Sequence, residues 1–140
     1  MKGFIRNTNS PLVDPEKMRI FCEFLGKRYR DKPIIWVLGG DWPGRDTKEL
    51  SAAMAEGLHA GDSGHHLITY HPTGRQSSSF WFQNAPWLNF NFIQSGHFIQ
   101  NNNYELVTAD YAKSPVKPTM DAEPGYENIT DRLIRNDFPD

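Results

Sequence analysis

The chain has 140 residues, which is enough for one domain with a hydrophobic core. Hydrophobic residues make up 38% and charged residues 23%, and the formal net charge of -2 comes without a basic patch, so the composition argues against a nucleic-acid-binding protein. No apolar run reaches the length of a membrane-spanning helix, and the first residues, MKGFIRNTNSPLVDPEK, lack the apolar core of a secretory signal. The single cysteine, Cys22, rules out an internal disulfide and is predicted to be a small core residue.

The first two predicted elements are a helix and a strand. Asp14-Pro15-Glu16 is a typical helix start, and the apolar residues that follow recur at helical spacing. The helix leads into Ile34–Leu38, five apolar residues of which three are β-branched. This run predicts a strand buried on both faces, as in parallel sheets. Two glycines end it, and Asp41 follows them directly.

Three further strand-like runs follow. A helix is predicted over 48–58, capped by Asp46 or Thr47, and strands over 66–70, 87–93 and 118–122, with a helix over 101–113 and another beginning at 128. Strands that alternate with helices predict parallel pairing through right-handed crossovers, so the predicted fold class is α/β. Four such strands fit either a small doubly wound sheet or half of a barrel.

Polar side chains follow every predicted strand: Asp41, His71, Gln94 with His97, and Glu123. The carboxyl ends of parallel strands open on one face, so these groups are expected to converge. Each also has a structural explanation, since an aspartate after glycine commonly caps a turn and a histidine is more often a hydrogen-bonded structural residue than a catalyst. Their recurrence at all four strand ends favours a shared active site.

Two carboxylates on one rim suggest glycoside hydrolysis, in which one carboxyl group protonates the leaving oxygen and the other attacks the anomeric carbon. Aromatic rings are abundant and would suit a sugar site: Trp42, Trp81, Trp87, Phe98 and Tyr126. The histidines and carboxylates would also suit a metal-dependent hydrolase. No HxH or HExxH motif is present, which makes the metal interpretation the weaker one.

Four runs in order, IIWVLGGD, LITYHPTG with SSSFWF, WLNFNFIQSGH and KPTMDAEPGYE, resemble the apiosidase-like glycoside hydrolases, a (β/α)8 TIM-barrel family of bacterial pectin breakdown. The resemblance covers roughly residues 18–128. It implies that residues 1–140 are part of a single catalytic barrel, with strands four to seven present and the N-terminal and C-terminal portions missing. A complete barrel of this kind needs about 250 residues.

The resemblance also implies roles for individual residues. Asp41, from the GGD motif, would be the acid/base, and Glu123, from the EP-YE motif, would be the nucleophile. The sugar subsite would be lined by His71, Gln94 and His97, and Tyr126 would orient the nucleophile. Trp42, the aromatic residue next to Asp41, is also expected to bind the substrate. Where relatives often have Asp in the WLDFN motif this chain has Asn89, which speaks against a charged role there.

The sequence therefore predicts a partial TIM barrel from a retaining, exo-acting glycoside hydrolase of plant cell-wall (pectic) oligosaccharides. The expected partners are the carbohydrate substrate and the missing barrel half in cis, with no cofactor, metal, nucleic acid or membrane, and relatives suggest a secreted or periplasmic location. A metal-dependent barrel hydrolase and a catalytically inactive carbohydrate-binding fragment remain open. Expressed alone, the chain is expected to be poorly soluble and inactive, because it would expose strand edges and half of a barrel interior.

Overall fold

The computed structural model describes residues 14–97 and 103–126. The helices are α1 (Pro15–Tyr29), α2 (Lys48–Asp62), α3 (Ser79–Phe82) and α4 (Asn103–Tyr111), with a 3-10 turn at Gly44–Asp46, and the strands are β1 (Trp36–Gly39), β2 (Ile68–His71), β3 (Gln76–Ser77), β4 (Asn91–Gln94) and β5 (Thr119–Asp121). The helix predicted from 128 and the ring of Phe98 lie outside these residues. Among the residues that the structure describes, no helix is long and apolar enough to cross a membrane.

Helices α1 and α2 pack closely because glycines line their contact. A Cβ atom on Gly57 would lie 2.1 Å from the carbonyl oxygen of Arg19, and one on Gly61 would lie 2.3 Å from that of Glu23. Only hydrogen fits at such distances, so the two backbones come together without side chains between them. At the start of α1 the predicted cap is present, since the Asp14 side chain accepts a hydrogen bond of 2.9 Å from the backbone N–H of Lys17.

The strands form two adjacent sheets, the pair β1-β2 and the three-stranded sheet β3-β4-β5. β1 pairs with β2 and β4 pairs with β5, both in parallel. The two sheets are linked by hydrogen bonds between β2 and Asn89, two residues before β4: the N–H of Asn89 donates to the Ile68 carbonyl at 2.9 Å, and the Asn89 side-chain oxygen accepts from the Ile68 N–H at 2.7 Å. The order is therefore β1-β2-β4-β5, which with the intervening helices makes the fold a partial α/β barrel.

Two predictions about this sheet are wrong in detail. The strand predicted over 87–93 begins only at Asn91, because the Asn89 side chain supplies the acceptor that a strand backbone would otherwise supply. The loop after β2 contains the unpredicted strand β3, which pairs antiparallel with β4 so that Gln76 lies opposite Gln94. A strand of two residues has no periodic signal in the sequence.

The two faces of the sheet differ in burial. Leu38, Ile68 and Tyr70 are at most 4% exposed and pack with Cys22 and Leu58 into the core beneath the helices. The alternate side chains of the strands and their flanks are about half exposed: Ile35, Val37, Leu67 and Met120. The prediction that the first strand is buried on both faces is therefore wrong for the described residues, because only its helix-facing side is covered.

Candidate active site

The carboxyl ends of the strands bring the predicted site residues together. Asp41 follows β1, His71 ends β2, Gln94 ends β4, and Glu123 follows β5 by two residues. One side-chain ligand atom of Asp41, one of His71 and one of Glu123 all lie within 4.8 Å of one another. The convergence that the strand pattern predicts is thus seen in the fold.

Backbone geometry determines where Asp41 is placed. Gly39, Gly40 and Asp41 have positive φ values of 83°, 119° and 55° in succession. A Cβ atom on Gly39 would lie 2.6 Å from the His71 carbonyl oxygen, which accepts a hydrogen bond of 3.1 Å from the Gly40 N–H. The two glycines therefore allow β1 to turn sharply against the end of β2. Asp41 itself is held in the left-handed region, a strained conformation that occurs preferentially at functional sites.

Glu123 takes part in three hydrogen bonds and lies within ion-pair distance of a fourth side chain. Oε1 lies 3.0 Å from His97 Nε2 and accepts from the Tyr126 hydroxyl at 2.6 Å. Oε2 accepts from Gln94 Nε2 at 2.8 Å and lies 3.1 Å from His71 Nε2. The side chain of Glu123 is 16% exposed, so these bonds replace most of its water shell. The arrangement fixes both the position and the orientation of the carboxylate.

The hydrogen bonds also determine the charge of Glu123. Its burial alone would raise its pKa, but the hydrogen bonds from Tyr126 and His97 and the charges of both histidines outweigh burial and lower the pKa below its ordinary value. Glu123 is therefore an ionised carboxylate at neutral pH. The bond to Glu123 in turn raises the pKa of Tyr126 to about 12, so that the phenol stays protonated and continues to donate.

Some predicted aromatic residues lie elsewhere. Trp81 and Trp87 pack against the core, where the Trp87 ring lies 4.9 Å from that of Phe82 and the Trp81 indole N–H donates to Gln76 at 3.2 Å. Both rings are partly buried and pack against the core, so the structure gives them a packing role and no contact with Asp41 or Glu123 among the described contacts. Tyr126, by contrast, lies at the site, with its ring 4.0 Å from the His97 ring.

Residues that the sequence did not single out also shape the site. Tyr70 donates to the Trp42 carbonyl at 3.0 Å and its hydroxyl lies 2.9 Å from that of Thr47, which ties the loop after Asp41 to β2. These bonds hold the backbone of Trp42, the half-buried residue next to Asp41, in place. Tyr70 reads in the sequence as an ordinary core residue, and nothing in its spacing indicates the role of its hydroxyl.

The spacing of Asp41, His71 and Glu123 is short enough for one ion to contact all three. However, Oε1 of Glu123 already has two hydrogen-bond partners, and Oε2 has one, with His71 Nε2 a further 3.1 Å contact, so an ion at either oxygen would compete with these groups. The geometry therefore favours a hydrogen-bonded carboxylate over a metal ligand at Glu123.

Comparison with known proteins gives matches of two kinds. The model of the family described as "Apiosidase-like, catalytic domain" matches residues 1–138. A crystal structure of a glycoside hydrolase family 5 protein from Bacteroides vulgatus ATCC 8482 is 39% identical, with a TM-score of 0.79, over 86% of this chain and 29% of that one. A second solved structure, of a glycoside hydrolase, is 38% identical with a TM-score of 0.80, over 88% of this chain and 31% of that one.

The chain thus spans less than a third of the length of either solved structure. A search of curated proteins finds no match.

Proposed function

Since the chain belongs to the apiosidase-like glycoside hydrolases, we propose that it carries the catalytic pair of a retaining glycosidase, Asp41 and Glu123. The observation that supports this pair is its spacing, because one carboxylate oxygen of each lies within 4.8 Å of the other. Retaining enzymes hold their carboxyl groups about 5–5.5 Å apart, whereas inverting enzymes leave about 6.5–9.5 Å for a water molecule. The short separation favours a double displacement.

In the proposed reaction the ionised Glu123 attacks the anomeric carbon while Asp41 gives its proton to the departing glycosidic oxygen. The products of this step are the free leaving group and a glycosyl ester on Glu123. Asp41, now a carboxylate, takes a proton from water as the water oxygen attacks the anomeric carbon. The bond to Glu123 breaks, Glu123 leaves as a carboxylate, and the two inversions together retain the configuration. The lowered pKa of Glu123 suits the nucleophile, which must be ionised before substrate arrives.

The substrate is proposed to be a plant cell-wall (pectic) oligosaccharide that is cleaved from its end. Trp42, His71, Gln94, His97 and Tyr126 surround the pair and are the proposed substrate-binding residues. Support for Gln94 comes from its amide: the nitrogen donates to Glu123, while the oxygen is buried and has no hydrogen-bond partner among the described residues. A buried unpaired oxygen is costly, and a sugar hydroxyl would satisfy it.

The four parallel strands are proposed to be strands four to seven of a single barrel that residues 1–140 share with a missing half in cis. The apolar side chains of the face that points away from the helices are half exposed. Strands β1 and β5 each have a strand partner on one side only among the described residues. Further strands would cover that face and pair with both edges.

The test uses a completed barrel, made by replacing the matching segment of the Bacteroides vulgatus protein with this chain. Glu123→Gln and Asp41→Asn are each expected to lower kcat/KM on pectic oligosaccharides by about 10³-fold or more, which is about 4 kcal/mol in activation free energy. Asparagine is the right replacement at 41 because it tolerates the left-handed backbone.

Matched controls are Glu56→Gln on the exposed surface of α2 and Asp46→Asn in the 3-10 turn, both expected to keep full activity. Retained activity in either site variant would remove that residue from its proposed role. Binding of oligosaccharides without turnover by the unmutated completed barrel would instead indicate a carbohydrate-binding protein.

A further inference from the structure

The backbone of the proposed nucleophile is attached to the segment that follows β4. Within the ladder between β4 and β5, Ile93 is the partner of Asp121, and the Ala122 N–H donates to the Ile93 carbonyl at 2.9 Å. Beyond the ladder, the Gly96 N–H donates to the Glu123 carbonyl at 3.1 Å. Gly96 has a φ of 93°, which lets the chain leave the strand direction there. The peptide group of Glu123 is thus held by the segment after β4.

The same segment also holds the side chain of Glu123. Gln94 Nε2 donates to Oε2 at 2.8 Å, and His97 Nε2 lies 3.0 Å from Oε1. His97 also places Nδ1 3.0 Å from the Pro124 carbonyl oxygen. Residues 94–97 therefore contact the backbone and both carboxylate oxygens of Glu123, so a shift of this segment would move the proposed nucleophile with it.

One acidic side chain, that of Asp121 at the end of β5, fastens this segment. Ser95 Oγ donates to Asp121 Oδ2 at 2.6 Å, and the Ser95 N–H donates to Oδ1 at 3.4 Å. The side-chain nitrogen of Asn103, the first residue of α4, also donates to Oδ2 at 3.4 Å. Ser95 is only 4% exposed, so water could not readily replace Asp121 as its partner.

The side chain of Asp121 points away from the proposed substrate site. Successive side chains of a strand point to opposite faces, and Met120 is half exposed on the face away from the helices. Asp121 therefore points toward the helices, in agreement with its bond from Asn103. We propose that Asp121 is a positioning residue, which holds Glu123 in place for attack by fixing Ser95. The proposal rests on the proposed function and adds to it a residue that does not touch the sugar.

The first experiment needs no activity. Hydrogen-exchange mass spectrometry of the completed barrel follows the peptide that contains Gly96. We expect Asp121→Ala and Ser95→Ala to speed exchange there by about tenfold or more, because each leaves a buried partner unpaired. Asp62→Ala is the matched control: Asp62 is buried at the opposite end of the strands, where it accepts from the Trp36 indole at 3.0 Å, and its loss should leave this peptide unchanged.

The second experiment measures kcat and KM of the same variants on pectic oligosaccharides. A displacement of about 1 Å can cost about 100-fold in rate, so Asp121→Ala and Ser95→Ala are expected to lower kcat by up to about 100-fold while KM stays within about threefold. Asp121→Asn should keep kcat within about tenfold, because an amide still accepts the Ser95 N–H and pairs with its hydroxyl. Since both alanine variants break the same contact, the double variant should lose no more than Asp121→Ala alone.

An equal loss of kcat in Asp121→Ala and Asp62→Ala would show a role in stability only and overturn the proposal. Unchanged exchange of the Gly96 peptide in both alanine variants of the contact would overturn it as well. Ser95→Ala removes a single hydroxyl, so it remains a test if Asp121→Ala does not fold. If the unmutated completed barrel has no glycosidase activity, the proposed function fails, while the exchange still decides whether Asp121 holds the segment.

Discussion

The turn that carries Asp41 gives a quantitative test of the site's backbone. Gly39→Ala should combine two costs, the left-handed φ of 83° and a Cβ atom 2.6 Å from the His71 carbonyl oxygen. That oxygen cannot retreat freely because it accepts the Gly40 N–H. Gly40→Ala carries only the conformational cost, since its φ is 119° and nothing lies within 4 Å of an added Cβ. Such a conformation costs about 1–3 kcal/mol, and overpacking adds about 1–3 kcal/mol more.

We therefore expect the free energy of unfolding of the completed barrel, measured by urea titration, to fall by about 1–3 kcal/mol for Gly40→Ala and by about 3 kcal/mol or more for Gly39→Ala. Gly125→Ala is the control, because it lies near the site in open space with no left-handed φ, and it should change stability by less than about 0.5 kcal/mol. If Gly39→Ala lowers the free energy of unfolding no more than Gly125→Ala does, β1 does not approach β2 as closely as described, and the position of Asp41 is wrong as well.

Three further outcomes are expected. Burial would raise the pKa of Asp62, but the hydrogen bonds from Trp36, His66 and the N–H of Gly64 together outweigh it and lower that pKa. The bond to Asp62 outweighs burial and raises the pKa of His66. The stabilising contribution of this pair should therefore be largest between about pH 4 and 6.5, and it should decrease as pH rises through the His66 pKa or falls through the Asp62 pKa. A difference in the free energy of unfolding between the unmutated protein and Asp62→Asn that does not vary with pH would contradict this. A chelator should leave the turnover of the completed barrel unchanged, and loss of activity that is restored by a divalent ion would point to a metal-dependent hydrolase. The 140-residue chain alone should be poorly soluble and inactive, since apolar side chains on one face of its strands are half exposed in the part of the chain that the structure describes, and a soluble monomer that cleaves a pectic glycoside would refute this.

Local signals in the sequence predicted the elements that frame the site. The Asp14 cap places the start of α1 within one residue, and the glycines after the first strand mark where the chain turns toward Asp41. The order of helices and strands predicted a common edge, and the polar residues of all four strand ends converge there. The cap and the glycine turn depend on neighbours in the chain, and the common edge follows from the repeated alternation of helix and strand, so the sequence alone was sufficient for these features.

Features that depend on distant residues were not predictable. The side chain of Asn89 accepts the hydrogen bond from the N–H of Ile68, twenty-one positions away, in place of a backbone acceptor. The first residues of the run 87–93, which looks like a strand in the sequence, are therefore not part of a strand. The rings of Trp81 and Trp87 look the same in the sequence whether they line a sugar site or pack on a core, and only the fold shows that both pack against the core. The four side chains that contact Glu123 come from three separate segments, and only the fold could bring them together.

The central claim is that Glu123 forms the covalent bond to the sugar. The most direct measurement treats the completed barrel with a 2-fluoro glycoside carrying a good leaving group, which slows breakdown of the glycosyl ester, and locates the adduct by mass spectrometry of a digest. The account predicts one adduct, on the peptide that contains Glu123, and none in the Glu123→Gln variant. An adduct on another residue, or turnover of the natural substrate with inverted configuration and no adduct, would contradict it.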